Sequence, residues 1–283
     1  MIKGAHAQLA RALTVMTVTH TSHATMLQGA KRAIDVDGAG PAAAAEPIIR
    51  YYYLDKRVKG EAVRLALVVG GVPFEDVRCS YERVAELRAS GALPFSQVPA
   101  LQIGDGPLHA QSQALLRWAG KRAGLYPDAH QLRIDAVTDV IVELYTEMIK
   151  VGYGAAMTRH PVSGRPMVPL TPAQRAEVAR CCGEVLFPAR FEQLERLLAL
   201  GPAGDGSAPA SESAPYFCGA ELTIADISFY VLASAILEGA WDGNGVGPEV
   251  LDGCERLLRV VRRVGEHPRV AAWNAAHPAR WFG

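Results

Sequence analysis

Between residues 48 and 71 the spacing of hydrophobic residues changes from one typical of a strand to one typical of a helix. Residues 48–54 are apolar, aromatic or β-branched apart from Arg50, which predicts a strand. Residues 55–60 break the pattern, and helical spacing begins at Glu61 and ends at a Gly70-Gly71 pair. The stretch therefore predicts a strand, a short basic loop and a helix. Tyrosines end the strand, which is where open α/β sheets place ligand chemistry.

The next part of the chain continues the alternation of strands and helices. Residues 73–78 predict a second strand, and 81–90 are compatible with a helix. Residues 100–103 and 108–110 predict two strands joined by the hairpin turn Gly-Asp-Gly-Pro. A helix then opens at Gln111-Ser112 and ends at Gly124. Residues 47–126 are thus predicted to form one small α/β domain with a βαβ then ββα order.

Beyond this domain the pattern predicts no convincing strand. Residues 127–132 are predicted to be a linker, and 133–283 an all-helical domain. Thr171-Pro172 is a good cap and first helical residue for a helix running to about Leu200. The stretch Leu222–Asp226 starts another helix, and residues 201–215, rich in Gly, Ala, Ser and Pro, predict a surface loop.

Composition narrows the function classes. The 283 residues carry 29 basic and 29 acidic side chains, which argues against nucleic-acid binding led by bulk charge. The sequence holds no apolar run of ~18 residues, so we expect no membrane-spanning helix. Five scattered cysteines without CxxC spacing favour a reducing compartment over a disulfide framework and give no zinc signature.

Residues 1–46 differ from the rest of the chain. They hold no Asp or Glu before Asp35, and they carry Lys3, Arg11, Lys31 and Arg32 with many Ala and Thr. This composition is typical of a transit peptide and would place the protein in a mitochondrion or plastid. The alternatives are a disordered extension or an upstream start, and the protein is then expected in the cytoplasm.

Five short motifs along the chain are informative because of their order and spacing. They are Tyr53, Lys59–Arg64, Gln97–Pro99, Gln111–Ser112 and Leu222–Asp226. In this order and spacing the chain resembles the cytosolic glutathione transferases of the tyrosine type, closest to the sigma class with some pi-like features. The resemblance covers residues 47–281. It implies a thioredoxin-like N-terminal domain that binds glutathione, a helical domain that completes the electrophile pocket, and a homodimer.

The chemistry expected of Tyr53 follows from the acidity of thiols. A free thiol has a pKa of ~8.5, so little of it is thiolate at neutral pH. A hydrogen bond donated to the thiolate stabilises the charged form and lowers that pKa. A tyrosine hydroxyl stays protonated near neutrality and can donate this bond. Counting back from Glu61 and Arg64, Tyr53 rather than Tyr52 falls on the family's tyrosine.

The resemblance also implies how glutathione is held. Pro99 is expected to follow a cis bond, which is essentially a proline feature, and Val98 to pair its backbone with the cysteinyl part. Amide hydrogens at the helix start of Gln111 and Ser112 suit a carboxylate, so the γ-glutamyl group is expected there. For Ser112 a simple capping role is the alternative. The further glutathione-binding residues that the resemblance implies are Lys59, Arg88, Gln97 and Glu143.

Several positions depart from the family pattern. The loop arginine of the family falls on Lys59, which offers a cation without a planar fork. The sigma-type Trp before the proline turn has no clean match; Tyr81 or Val84 stands in its place. Glu143 falls where the family carries an acid that reaches the glutathione of the partner subunit. Asp139 matches another acid, which some prostaglandin-synthase members use for a metal, but the third acid of that set falls on Val142. We therefore predict no metal.

The predicted electrophile pocket uses the loop after Tyr53, the chain end near Trp281, and Tyr145, Met148 and Tyr153. Aromatic and Met side chains suit varied apolar compounds. The sequence thus predicts a glutathione transferase that conjugates the thiolate to small hydrophobic electrophiles in detoxification. The alternatives are a glutathione-dependent isomerase of prostaglandin type and a non-catalytic, glutathione-binding or structural member of the fold.

Overall fold

The computed structural model describes residues 47–154, 168–203, 206 and 209–278, with side chains of 152–154 left out of the description. In chain order its first part holds strand β1 (Ile49–Leu54), helix α1 (Glu61–Gly70), strand β2 (Glu75–Cys79), helix α2 (Tyr81–Ala89), strands β3 (Ala100–Ile103) and β4 (Leu108–Ala110), and helix α3 (Ser112–Ala123). The predicted βαβ then ββα order is confirmed.

The four strands form one mixed sheet in the order β2-β1-β3-β4. β1 runs parallel to β2, with Tyr53 opposite Arg78, and antiparallel to β3. β3 and β4 form the predicted hairpin. A parallel pair needs a crossover, which α1 supplies, whereas an antiparallel pair needs only a turn. Together with the helices that follow, this sheet confirms the predicted thioredoxin-like domain followed by an all-helical domain.

Among the described residues after α3, every regular element is helical. The helices are α4 (Gln131–Gly154), α5 (Pro172–Cys181), α6 (Phe187–Leu200), α7 (Ile224–Leu237), α8 (Glu255–Gly265) and α9 (Pro268–Ala276). Short 3-10 turns occupy Asp128–His130, Asp242–Asn244 and Pro248–Leu251. α4 begins at Gln131, within the stretch 127–132 predicted as the linker. No helix in the described ranges is both long and apolar enough to cross a bilayer.

Local sequence signals explain several helix ends. Gly71 ends α1 in the left-handed conformation, with φ of 65°, and donates to the carbonyls of Leu67 and Val68. Thr171 caps α5 through a reciprocal capping box with Gln174. Thr223 and Asp226 form a second capping box at the start of α7, as predicted. α7 is buried along almost its whole length, which makes it the centre of the helical domain.

The prediction of a single helix from Thr171 to about Leu200 is wrong in one respect. A π turn at Cys182–Leu186 divides it into α5 and α6. Pro188 has no N–H to donate and its ring crowds the preceding turn, so a regular α-helical ladder cannot continue through it. Gly183 lies so close to the backbone of Gly245 that a Cβ at position 183 would meet the Gly245 carbonyl oxygen. The wide turn accommodates both constraints.

One hydrophobic core runs from the sheet into the helical domain. It joins Tyr51 and Leu65 of the first part to Ile141, Phe229 and Leu232 of the helical part. A smaller cluster lies under α2 around Val84 and Leu87. The continuous core fixes the carboxyl end of β1 against the helical domain, which positions the candidate site.

Candidate functional site

The three tyrosines of β1 differ in what their hydroxyls contact. Strand alternation puts Tyr51 and Tyr53 on the buried face, and Tyr52 on the other face. The Tyr51 hydroxyl donates to the carbonyl oxygen of Gly60 at 2.8 Å, and the Tyr52 hydroxyl donates to Oε1 of Gln102 at 3.2 Å. Burial raises the pKa of Tyr51 well above its ordinary value. The hydroxyls of Tyr51 and Tyr52 are thus bound to groups of the loop and of β3.

Tyr53 is 7% exposed at the end of β1 and lies in a tight aromatic and cationic environment. Its ring centroid is 6.4 Å from that of Tyr51 and 5.4 Å from the guanidinium carbon of Arg64. Gly60 approaches the other part of the ring, because a Cβ there would lie 2.3 Å from Cδ1 of Tyr53. The ring is therefore held by its surroundings in one orientation.

A buried ionic cluster lies directly behind this ring. Arg64 is fully buried and donates to Oδ1 of Asp76 at 2.8 Å and to Oε2 of Glu61 at 3.2 Å. It also donates to the carbonyl oxygens of Leu54 and Lys56, at 3.1 Å and 3.3 Å. Burial alone would lower the pKa of Arg64, but Glu61 and Asp76 raise it by more, so the pKa lies above its ordinary value. The guanidinium stays charged and ties down the loop that follows Tyr53.

Helix α9 closes the same cluster from the other side. The Trp273 Nε1–H donates to Oε1 of Glu61 at 2.8 Å, and Arg57 Nη2 donates to Oδ1 of Asn274 at 2.6 Å. Sequence reasoning used Glu61 and Arg64 only to fix the register of Tyr53 and missed this network. The i, i+3 spacing of a Glu and an Arg at a helix start was the available signal for their ion pair. No local pattern indicated Trp273 or Asn274.

The loop before β3 has the predicted cis bond between Val98 and Pro99. Pro99 is buried, Val98 is half-buried and Gln97 is exposed. Arg88 extends from α2 to this loop and donates through Nε to the carbonyl oxygen of Ser96 at 2.9 Å. The structure thus brings Arg88, Gln97 and Val98 together at the loop before β3.

The start of α3 carries a strained residue at a predicted binding position. Gln111 has φ of 79° and ψ of 108°, a left-handed region that a residue with a side chain rarely adopts. Its side chain is exposed and makes no capping bond, while Ser112 is half-buried as the first residue of the helix. Backbone strain of this kind is frequent at ligand sites. The first N–H groups of a helix such as α3 can bind an anion.

Lys59 is half-buried on the loop after Tyr53, and burial lowers the pKa of its amine. Its Nζ lies 5.7 Å from the ring centroid of Tyr145 on α4. A cavity of about 10 Å³ next to both is lined also by Gln113, Ser228 and Val231, among others. Within the described part of the chain, the Tyr145 hydroxyl and Oε1 of Gln113 are buried without a hydrogen bond.

The residues predicted for the electrophile pocket take different places. Tyr145 is 3% exposed and packs edge to face on Trp241, and Met148 is fully buried in the core. Burial raises the pKa of Tyr145 above its ordinary value. The Tyr153 side chain and Trp281 lie outside the described residues. Only the inner wall of the predicted pocket, around Tyr145 and Lys59, is therefore described.

Glu143, predicted to reach a partner's glutathione, is engaged within its own chain. Arg190 Nη2 on α6 donates to both of its carboxylate oxygens, at 2.6 Å and 2.9 Å. Asp139 lies 3.6 Å from Arg117. In the described residues no group of three His, Cys, Asp or Glu side chains could hold a metal ion.

Comparison with known proteins agrees with this geometry. A family model described as glutathione S-transferase, C-terminal domain, matches residues 160–277. Glutathione S-transferase 1 of Ascaris suum is 28% identical over 82% of this chain and 98% of its own. Glutathione S-transferase A3 of Mus musculus is 27% identical over 80% of this chain and 87% of its own. The solved prostaglandin synthase D of Nilaparvata lugens is similar in fold, with a TM-score of 0.63 and 22% identity over 83% of this chain and all of that one.

A thioredoxin-like sheet joined to an all-helical domain defines the two-domain fold that these proteins share. The match extends through almost the full length of the Ascaris relative. The chain is similar to glutathione transferases across both parts of this fold. Its place in the sigma class stays a prediction.

Proposed function

We propose that this protein is a glutathione transferase that joins the thiolate of glutathione to hydrophobic electrophiles. The observation that carries the proposal is the place of Tyr53. It is the last tyrosine of β1, and its ring is fixed between Gly60 and Arg64. A phenol fixed in this way can donate to a bound sulfur anion.

The proposed reaction has few steps. The glutathione thiol loses its proton to solvent, and the Tyr53 O–H donates a hydrogen bond to the sulfur anion that remains. The sulfur lone pair attacks an electrophilic carbon, a C–S bond forms, and the displaced leaving group departs with its electron pair. Where the electrophile has no leaving group, the electron pair moves onto its own electronegative atom, which takes a proton from solvent.

The remaining sheet residues are proposed to hold the tripeptide. The Val98 backbone would pair with the cysteinyl unit as an added strand, next to Gln97 and the cation of Arg88. The γ-glutamyl carboxylate would bind at Gln111, Ser112 and the first N–H groups of α3. Lys59 would supply a cation to the peptide from the loop.

The test compares two neighbouring tyrosines. Tyr53→Phe should raise the pKa of the bound thiol by about 1–2 units, because one hydrogen bond to a charged group is worth about 1.5–3 kcal/mol. Tyr52→Phe is the matched control and should leave that pKa unchanged. The thiolate is followed by its ultraviolet absorbance during a pH titration, and conjugation of chlorodinitrobenzene gives the rate. If the thiol pKa shifted only in the Tyr52→Phe protein, Tyr52 rather than Tyr53 would be the donor to the sulfur.

Retention on immobilised glutathione separates the enzyme from a binding protein of the same fold. The proposal expects retention together with conjugation by the wild-type chain. Retention without turnover of any tested electrophile would instead support the non-catalytic alternative.

We further propose that the protein acts as a homodimer. Phe95, just before the loop of Val98, is 55% exposed, although a large aromatic side chain gains from burial. A cavity of about 400 Å³ beside it is lined largely by apolar side chains, including Leu101, Leu108 and Trp118. Exposed apolar surface of this kind is typical of a protein–protein interface.

We also propose that the protein works in a reducing compartment, with the cytoplasm as the first choice and a mitochondrion or plastid as the alternative. All five cysteines are free, and four of them are buried. Free buried thiols persist where disulfides do not form. Sequencing the N-terminus of the native protein tests the choice: an intact start supports the cytoplasm, and a start near residue 46 supports an organelle.

A further inference from the structure

We propose that Trp273 and Asn274, two neighbouring residues of α9, are positioning residues for the thiol site. Trp273 contacts Glu61 at the start of α1, and Asn274 contacts Arg57 on the loop before it, which carries Lys59 and follows Tyr53. The inference rests on the proposed function, since it assigns these residues a role in orienting Tyr53 and Lys59.

Trp273 acts on Glu61. Glu61 is 1% exposed, so its negative charge depends on partners from the protein. The Trp273 Nε1–H donates to Oε1 at 2.8 Å, and Nε of Arg57 lies farther from the same oxygen, at 3.8 Å. Trp273 is therefore the closest described donor to this buried oxygen.

Glu61 transmits this contact to Tyr53 through Arg64. The other carboxylate oxygen of Glu61 accepts from Arg64 Nη1 at 3.2 Å. The same guanidinium donates to the carbonyl of Leu54, the residue after Tyr53, and lies 5.4 Å from the Tyr53 ring. A positive charge near the ring stabilises negative charge that develops on the phenol oxygen, which makes the hydroxyl a stronger hydrogen-bond donor. The position of Arg64 thus influences both the place and the donor strength of the hydroxyl.

Asn274 acts on Arg57. Oδ1 of Asn274 accepts from Arg57 Nη2 at 2.6 Å, and Nδ2 of Asn274 donates to the hydroxyl oxygen of Tyr230 at 2.7 Å. Arg57 is 7% exposed and lies two residues before Lys59, while Tyr230 belongs to the buried helix α7. Asn274 therefore ties the loop to the centre of the helical domain.

The two residues should affect two different kinetic quantities. Losing the Trp273 N–H leaves Glu61 Oε1 short of a partner, so Glu61 and Arg64 rearrange and the thiolate loses stabilisation from Tyr53. Losing Asn274 removes one of the partners of Arg57 and weakens the hold on the loop that presents Lys59, so binding of glutathione weakens. We expect the first change in the pKa of the bound thiol and the second in KM for glutathione.

The experiment uses the full chain. Trp273→Phe keeps the ring and removes the N–H; it should raise the bound thiol's pKa enough to reduce the thiolate fraction about three- to tenfold at a pH below that pKa. Asn274→Leu should raise KM for glutathione by a similar factor with the thiol pKa unchanged. Asn274→Asp keeps an acceptor for Arg57, so its KM for glutathione should equal that of the wild type.

Arg269→Gln is the matched control. Arg269 also joins α9 to α1, but it donates to the carbonyl of Val69 at the far end of that helix, at 2.7 Å. This change should lower stability and leave both the thiol pKa and KM unchanged. Equal shifts in the Arg269→Gln and Trp273→Phe proteins would mean that α9 acts only by general docking, which overturns the inference. So would a thiol pKa that Trp273→Phe leaves unchanged.

Failure of this inference is distinguishable from failure of the proposed function. If Tyr53→Phe raises the thiol pKa and Trp273→Phe does not, Tyr53 keeps its role and α9 loses its own. If neither change moves the thiol pKa, the assignment of Tyr53 fails first. Urea unfolding of each variant shows whether it is folded, and Asn274→Leu against Asn274→Asp remains informative if Trp273→Phe does not fold.

Discussion

Gly60 lies so close to the ring of Tyr53 that any side chain at position 60 would overlap it. An ideal Cβ would stand 2.3 Å from Cδ1 and 2.5 Å from Cε1 of Tyr53. Gly60 has φ of −75°, a value that every residue adopts, so its backbone does not require glycine. Glycine is needed at position 60 because the absence of a side chain leaves room for the Tyr53 ring.

Gly60→Ala should therefore displace Tyr53 without unfolding the chain. Misplacement of a group at the reacting centre by about 1 Å can reduce a rate by about 100-fold, and we expect a loss of about 10- to 100-fold in conjugation. Steady-state rates with chlorodinitrobenzene provide the measurement. Gly243→Ala is the control, because a Cβ there meets nothing within 4 Å. Equal rates in the two variants would contradict the tight contact.

Gln111 should respond to substitution with opposite signs in stability and binding. Its φ of 79° strains a residue that has a Cβ, and glycine adopts this conformation freely. Gln111→Gly should raise the free energy of unfolding by about 1 kcal/mol. It should also raise KM for glutathione, since the proposed contact of the Gln111 side chain is lost. Urea unfolding and steady-state kinetics measure the two effects.

Ser96 offers the control for this experiment. Its φ is 56°, and its contact with Arg88 uses the carbonyl oxygen, which every residue keeps. Ser96→Gly should relieve similar strain and leave KM unchanged. If both glycine variants raised KM equally, loop flexibility rather than the Gln111 side chain would explain the effect.

The sequence predicted those features that are set by local chemistry. The apolar pattern and the Gly70-Gly71 stop gave α1 to the residue, and the Thr223 and Asp226 spacing gave the start of α7. The cis bond before Pro99 was expected from the family resemblance. Tyr53 could be placed at the end of β1 because strand and loop boundaries there depend on neighbouring residues alone.

Features that depend on distant contacts could not be predicted. Trp273 and Glu61 are distant in sequence and meet only because α9 packs on α1. Arg190 likewise meets Glu143 from another helix and occupies a carboxylate expected to reach a partner subunit. The π turn depends on Gly183 contacting the loop at Gly245 as well as on Pro188. Side-chain periodicity describes one element at a time, so it carries no information on these meetings.

The proposed homodimer predicts an effect of the exposed Phe95. Phe95→Ser removes the largest exposed apolar side chain beside the cavity of Trp118 and should shift the protein toward monomer in sedimentation at micromolar concentration. Val185→Ser is the control, because Val185 is similarly exposed, at 56%, on the π turn. A chain that sediments as a monomer before any change would remove the proposal.

Asp226 should be the most sensitive capping residue of the fold. Its fully buried carboxylate accepts from the N–H of Phe217 at 2.8 Å, and from the N–H and hydroxyl of Thr223 at 2.8 Å and 2.7 Å. Asp226→Asn turns one of these acceptor oxygens into a donor that faces another donor, so we expect a loss of about 2–4 kcal/mol in urea unfolding. Thr171→Ala at the exposed cap of α5 should cost only about 0.5–1 kcal/mol.

The pH dependence of that loss identifies its cause. Burial raises the pKa of Asp226 to about 6 in spite of three donated hydrogen bonds, whereas an unfolded Asp titrates near ~3.9. Between these values the folded state binds more protons, so the stability contributed by this carboxyl falls as the pH rises. From about pH 5 to about pH 7 the fall should be about 1 kcal/mol. Asp226→Asn lacks this titration, and the difference in unfolding free energy between the wild type and this variant should therefore be larger at the lower pH. A difference that grew toward neutral pH would mean that the hydrogen bonds to the ionised carboxylate outweigh its burial.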